Sequence, residues 1–261
     1  MTKTIRVDTL DLRAVSTVTE IILPGTLANG LIACYLFDQG VTARSLNNYA
    51  PGGTQGASFV GTPTANADGT LTLGPAGYVQ TPIAETVEMT IAGVCYSLAP
   101  VAGEFTALWG NQTGDTSRSG NPVCGMYLRD TTATTQPDGK LNSAAYFAAP
   151  GATPVVAAIT VFDVPAYRTP NLIYMTASTI VEKTFIGNIT TGTSVGSTLQ
   201  TQPHQPNGST TFRIGSNPSS VWVGTSNHAM NLMWNRVLTT AENALLKVMC
   251  NGYVSPYSYT V

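Results

Sequence analysis

Charge is scarce in this chain. Asp, Glu, Lys and Arg make up only 10% of its 261 residues, against roughly a quarter in an ordinary globular domain. The net charge is −2 and no basic run occurs, which argues against nucleic acid or an anionic membrane as partner. No apolar run approaches the roughly 18 residues of a membrane-spanning helix. Met1-Thr2-Lys3-Thr4-Ile5-Arg6 is not followed by an apolar signal core, so the expectation is folding in a cytoplasm without a secretory signal. The two histidines, His204 and His228, lack zinc-ligand spacing, and no acid-rich loop offers converging oxygens to calcium. Neither a metal nor a cofactor is expected. Cys34, Cys95, Cys124 and Cys250 are too dispersed to suggest a clip and read as buried free thiols rather than disulfides.

Catalytic patterns are missing too. A glycosidase needs two carboxylates facing one sugar ring. The nearest pair, Glu85-x-x-Glu88, would face opposite sides of a strand. Gly224-Thr225-Ser226-Asn227-His228 sets a serine near a histidine but lacks the Gly-x-Ser-x-Gly elbow of a serine hydrolase. The expectation is a protein that is not an enzyme.

What the chain does have is a series of short apolar strands at about ten-residue spacing between Gly, Pro and Asn turns, the pattern of a β-sandwich. The stretch from Phe212 to Asn251 is the most informative. Met230, Leu232 and Trp234 alternate with Asn231, Met233 and Asn235, as in a strand with one fully apolar face. At Thr239 the period changes. Thr239-x-x-Glu242 is a capping box, after which Ala241, Ala244, Leu245, Val248 and Met249 share a helical face and Asn251-Gly252 offers a stop.

Trp234-Asn235-Arg236-Val237-Leu238-Thr239-Thr240-Ala241-Glu242 resembles the closing motif of concanavalin A-like, laminin-G-like lectin domains. There an aromatic-Asn-Arg-x-Leu-Ser/Thr strand end leads into a short Ala-Glu helix. The opening is similar to the same family: an apolar strand from Gly30 to Phe37-Asp38, an Asn/Gly turn, a small-residue strand at 56–61, then Gly77-Tyr78-Val79. Met89–Tyr96, Phe105–Gly110, Gly125–Leu128 and Leu141–Phe147 supply further strands, and 172–177 with 183–188 looks like a hairpin. The resemblance implies an all-β, concanavalin A-like antiparallel β-sandwich (jelly roll) with one short C-terminal helix, in which the opening and closing strands are neighbours. It covers residues 29–252. Residues 1–28, with Ile5, Val7, Leu10 and Leu12, read as an N-terminal assembly arm, and residues 253–261 as a C-terminal tail. Asp38 is expected to cap the turn that follows it.

Sugars stack on exposed aromatic rings and hydrogen-bond to neighbouring amides. Trp222, flanked by Asn217-Pro218-Ser219-Ser220 and by Ser226-Asn227-His228, is one candidate glycan platform, with Asn227 and His228 as polar partners. Trp109, ahead of the polar loop that carries Asp115 and Arg118, is a second. Each tryptophan also reads as a core residue on a strand, and Trp234 reads as core.

A lone lectin-like sandwich, an arm and a Thr/Ser/Asn/Gly-rich surface together resemble a bacteriophage virion protein. The resemblance implies an oligomeric appendage, such as a trimeric tail-fibre or baseplate adhesin. It would bind host-surface glycan and join other virion proteins through its arm. A capsid or tail decoration protein without a sugar site is the alternative, and a carbohydrate-binding module detached from its enzyme is a third.

Overall fold

The computed structural model describes residues 23–53, 56–97, 105–111, 125–130, 139–148, 155–163, 169–180, 183–206, 210–218 and 222–261. They form two antiparallel sheets packed face to face. The first sheet runs β13 (Thr193–Gly196), β12 (Lys183–Asn188), β11 (Asn171–Ser178), β6 (Glu88–Ser97), β15 (Ser226–Trp234), β4 (Leu71–Leu73) and β3 (Thr64–Ala65). β1 (Leu31–Leu36) also pairs with β15, beyond the end of β4. The second sheet runs β10 (Val155–Asp163), β9 (Gly139–Phe147), β8 (Gly125–Asp130), β7 (Phe105–Gly110), β14 (Thr211–Ile214), β5 (Gly77–Ala84) and β2 (Ser58–Gly61). The opening and closing strands are therefore direct neighbours, Leu31 opposite Trp234 and Leu36 opposite Met230, as the sequence predicts. The expected hairpin is β11–β12, with Met175 opposite Ile186.

β15 is buried on both faces along its whole length. Met233 joins the core between the sheets, while Met230, Leu232 and Trp234 face a second apolar layer outside the first sheet. The alternation slips by one residue at a bulge between His228 and Met230. The apolar face read from the sequence thus meets helices, not the opposing sheet. Those helices are α1 (Gly25–Ala28) and α2 (Thr240–Val254).

The helix begins where the sequence predicts. Thr239 Oγ1 accepts from the Glu242 amide at 3.3 Å and Glu242 Oε2 accepts from the Thr239 amide at 2.8 Å, so both halves of the capping box form. It does not stop at Asn251-Gly252 but continues to Val254. Its buried face is also different. Leu246, Met249, Cys250, Tyr253 and Val254 pack down, whereas Ala241, Ala244, Leu245 and Val248 face outward and Val248 is 71% exposed.

Two domain boundaries move for the same reason. Leu23 and Leu27 are buried in the helical layer, and Leu27 accepts from Trp234 Nε1 at 2.7 Å, so residues 23–28 belong to the folded body and not to an arm. At the other end Val261 is buried, its amide and carbonyl both bonded to the Asn251 side chain. Residues 1–22 lie outside the described residues. Asp38 takes a different partner from the one expected: its carboxylate accepts from Tyr253 Oη at 3.0 Å on α2 and from Gln39 Nε2 at 2.7 Å. The turn itself closes through the Gly40 amide and Phe37 carbonyl.

Cys34, Cys95 and Cys250 are buried free thiols, and burial pushes Cys34 up to about 12. Cys124 lies outside the described residues.

Candidate functional site

The structure does not present the predicted platforms to solvent. Trp109 is fully buried between the sheets, where its Nε1 donates to Asn231 Oδ1 at 2.6 Å. His228 Nδ1 meets the same oxygen at 3.1 Å and its Nε2 meets Ser226 Oγ at 2.9 Å. Indole nitrogen can only donate, which fixes the Asn231 oxygen toward Trp109. His228 must then donate from Nδ1, and Nε2 is left to accept from the serine hydroxyl. Burial holds this imidazole well below its usual range, at about 4. Serine, histidine and amide are connected as in a hydrolytic triad. Ser226, His228 and Asn231 are all fully buried, however, so no substrate carbonyl reaches them. The network belongs to the core.

Ser226-Asn227-His228, which flank Trp222 on its C-terminal side, form the start of β15, Ser226–Trp234, and not a binding loop. Asn227 points to the opposite face from His228. Its Nδ2 donates to Tyr96 Oη at 2.7 Å and its Oδ1 accepts from Thr72 at 2.9 Å. Tyr96 in turn donates to Asp68 at 2.6 Å. Asn227 is 4% exposed and both ends of its amide are engaged, so it braces β4 to β15 and β6. Trp222 is 7% exposed. Asp115 and Arg118 lie outside the described residues.

Glu85 and Glu88 do not share a strand, since β5 ends at Ala84 and β6 begins at Glu88. Glu85 is buried against His204, Oε1 to Nε2 at 2.9 Å. Glu88 Oε1 accepts the amides of Thr179 and Ile180 at 2.7 and 3.0 Å.

An accessible constellation lies elsewhere, on the outer face of the second sheet. Val79, Thr81 and Ile83 on β5 and Phe212 and Ile214 on β14 turn inward and are buried. Alternation therefore sends Tyr78, Gln80, Pro82 and Arg213 outward, where each is half-buried or exposed. Register then builds the site. Arg213 is opposite Gln80 on one side and Gly110 on the other, and Ser58 and Val60 of β2 lie opposite Gln80 and Tyr78.

The Arg213 guanidinium sits over the Tyr78 ring, its Cζ 4.6 Å from the centroid. Nε donates to Gln80 Oε1 at 3.2 Å, and Gln80 Nε2 is itself tied to Thr211 Oγ1 at 2.8 Å. Gly110 has no side chain at this rung; a Cβ there would come within 2.5 Å of Asn217 Oδ1, so Asn217 occupies the space. The result is a fixed cation, an aromatic ring and small polar groups on an open pleated surface. Among the described residues no group of His, Cys, Asp and Glu is arranged to hold a metal ion.

This site was readable in part. Gly77-Tyr78-Val79 and Phe212-Arg213-Ile214 stand out as strand segments, and their alternation marks Tyr78 and Arg213 as outward. That these two strands are paired is a long-range fact the local pattern does not carry.

No family model matches the sequence, and no curated protein matches it. Solved structures do match in fold. The binding domain of Paraclostridial Mosquitocidal Protein 1 is 13% identical with a TM-score of 0.58, over 84% of this chain and 52% of that one. Trypanosoma rangeli sialidase in complex with 2,3-difluorosialic acid is 12% identical with a TM-score of 0.54, over 91% of this chain and 34% of that one. Domain 4 of AbnA, an extracellular arabinanase from Geobacillus stearothermophilus, in complex with arabinotriose, is 13% identical with a TM-score of 0.51. There the alignment covers 82% of this chain and 97% of that domain. The chain thus spans about half of the toxin binding domain and a third of the sialidase. What these proteins share with it is the β-sandwich.

Proposed function

We propose that this protein is a non-enzymatic carbohydrate-binding module, the exposed appendage of a bacteriophage virion, and that it engages host-surface glycan on the outer face of β2, β5 and β14. The observation that carries the reading is Arg213, held over Tyr78 and braced by Gln80 on an open sheet face. Amide, guanidinium and aromatic groups set in fixed geometry are what orient a sugar. The arabinanase domain in complex with arabinotriose, matched over nearly its whole length, supports a binding role for such a sandwich. Full burial of the Ser226–His228 pair and of the Glu85–His204 pair supports binding without catalysis. The virion assignment draws on the low charge and the small polar surface, which suit a durable exposed shell; assembly as a trimer is part of the same proposal.

A glycan array with the full chain tests the binding reading. Tyr78→Ala should abolish the signal, whereas Asp68→Ala, in the turn between β3 and β4 of the other sheet, should not. A blank array from folded protein would sink it in favour of a decoration protein. Mass spectrometry of purified virions and light scattering of the protein in solution check the location and the trimer.

A further inference from the structure

Arg213 carries a positive charge with no acidic partner among the described residues. We propose that the site around it takes a carboxylated saccharide, one carrying a uronic or other sugar acid, with the carboxylate on the outer edge of the Arg213 guanidinium. This deepens the carbohydrate-binding reading and rests on it.

Three observations carry the proposal. First, the guanidinium is only partly used. Nε goes to Gln80, Nη1 makes one long contact of 3.5 Å with the Asn217 carbonyl, and Nη2 has no partner among the described residues. The Nη1–Nη2 edge is the one that meets a carboxylate with two parallel hydrogen bonds. Second, the cation lacks a counter-charge. The ion pairs within the described residues are Glu85 with His204 and Arg236 with Glu242, and none involves Arg213.

Third, the cation is held in place before any ligand arrives. Tyr78 supports it from one side, Gln80 fixes Nε, and Thr211 in turn fixes Gln80. Fixing the fork reduces the side-chain entropy that an arginine loses on binding. Gln80 is a positioning residue here, because both ends of its amide are committed within the protein. Within β2, β5 and β14, the strands that build the site, Arg213 is the one cation; Arg129 and Lys140 stand on β8 and β9 of the same sheet, on the far side of β7. One fork suits one carboxylate.

The test is calorimetric titration of the full chain with tri-galacturonate, a hyaluronan tetrasaccharide and 3′-sialyllactose, each beside its carboxyl methyl ester. At least one free acid should bind about tenfold or more tightly than its ester, and the preference should shrink between 0.05 and 0.5 M NaCl as screening grows. Arg213→Gln should bring acid and ester to the same affinity while leaving the melting temperature unchanged, and Arg213→Lys should keep a reduced preference. If Arg213→Gln misfolds, Gln80→Ala, which frees the fork without removing the charge, should weaken acid binding and retain salt sensitivity. Equal binding of acid and ester by the native protein overturns the acidic-sugar inference and leaves carbohydrate binding standing. No binding of any probe, together with a blank array, removes both.

Discussion

Trp109 and Asn231 are joined by a 2.6 Å hydrogen bond between the two sheets, and that bond sets the tautomer of His228. Asn231 Oδ1 accepts from two buried donors, one on each side of the sandwich core, and His228 passes the polarity on to Ser226. A polar chain lies where an apolar core would be expected, so its members depend on one another.

Replacing Asn231 by Ala should therefore cost more than one bond. It strands the indole N–H and the imidazole N–H in the core, and unsatisfied buried donors cost about 1–3 kcal/mol each. Urea unfolding should show a loss of about 2–5 kcal/mol; a loss below about 0.5 kcal/mol would mean the bond is not formed.

The two histidines give stability opposite dependences on pH. Burial lowers His228 to about 4 in the folded protein, whereas the unfolded chain binds that proton near pH 6.5. Stability should then be full above about pH 6.5 and fall on acidification toward pH 4, by on the order of 3 kcal/mol in all. His228→Gln should remove that slope from the unfolding free energy measured against pH.

At His204 burial also pulls the pKa down, but the hydrogen bond and charge of Glu85, the Val87 carbonyl and the charge of Glu88 outweigh it, and the pKa is raised. A raised value in the folded state means the stabilisation is whole below about pH 6.5 and is lost as pH rises through the folded value. Glu85→Gln should lower stability near pH 6 and flatten the decline on the alkaline side. An unchanged alkaline limb would mean that the pair carries no proton.

Two adjacent leucines on α2 separate its faces. Leu246 is fully buried and Leu245 is 41% exposed. Leu246→Ala should cost about 3 kcal/mol and Leu245→Ala less than about 1. Equal losses in thermal unfolding would contradict the orientation of the helix.

Glu242 links the capping box to the strand end. It takes two hydrogen bonds from Arg236, at 2.7 and 2.9 Å, besides the Thr239 amide, and these hold its carboxyl down at about 2. This contribution is present above about pH 4.3, the unfolded value, and is lost as pH falls toward 2. Glu242→Gln should lower the melting temperature at pH 7, with the difference from native protein closing at pH 2.

Much of this fold was legible because its strongest signals are local. The Thr239–Glu242 box and the alternation of Met230, Leu232 and Trp234 each occupy under ten residues and need nothing distant. The face of α2 was not legible. Ala241, Ala244, Leu245 and Val248 make as good an apolar stripe as Leu246, Met249 and Tyr253. What decides between them is where the Arg236–Glu242 clamp and the outer face of the sheet hold the helix.

The tryptophans misled for a related reason. Trp109 stands before a polar loop and Trp222 between polar residues, as an exposed platform would. The residues that draw Trp109 inward, Asn231 and His228, lie over a hundred positions later, and a bulge in β15 sets their direction. Arg213 and Tyr78 show the converse. Each reads as an outward strand residue, and only pairing across more than 130 positions makes them a site.

β15 has a consequence for how the chain is made. It fills the place between β6 on one edge and β1 and β4 on the other, and it is the last strand in the sequence. Until residue 234 has left the ribosome, three earlier strands carry bare edges, and Leu31, Ala92 and Val94 lack the Met230, Leu232 and Trp234 side chains of their apolar layer. Contacts of such long separation close slowly, and unpaired edges invite pairing with other chains. Synthesis should therefore pass through an interval in which the earlier strands of the sandwich are exposed to a neighbouring copy. A chaperone that holds the nascent strands, or a lower growth temperature, should raise the soluble yield more than any substitution on the surface.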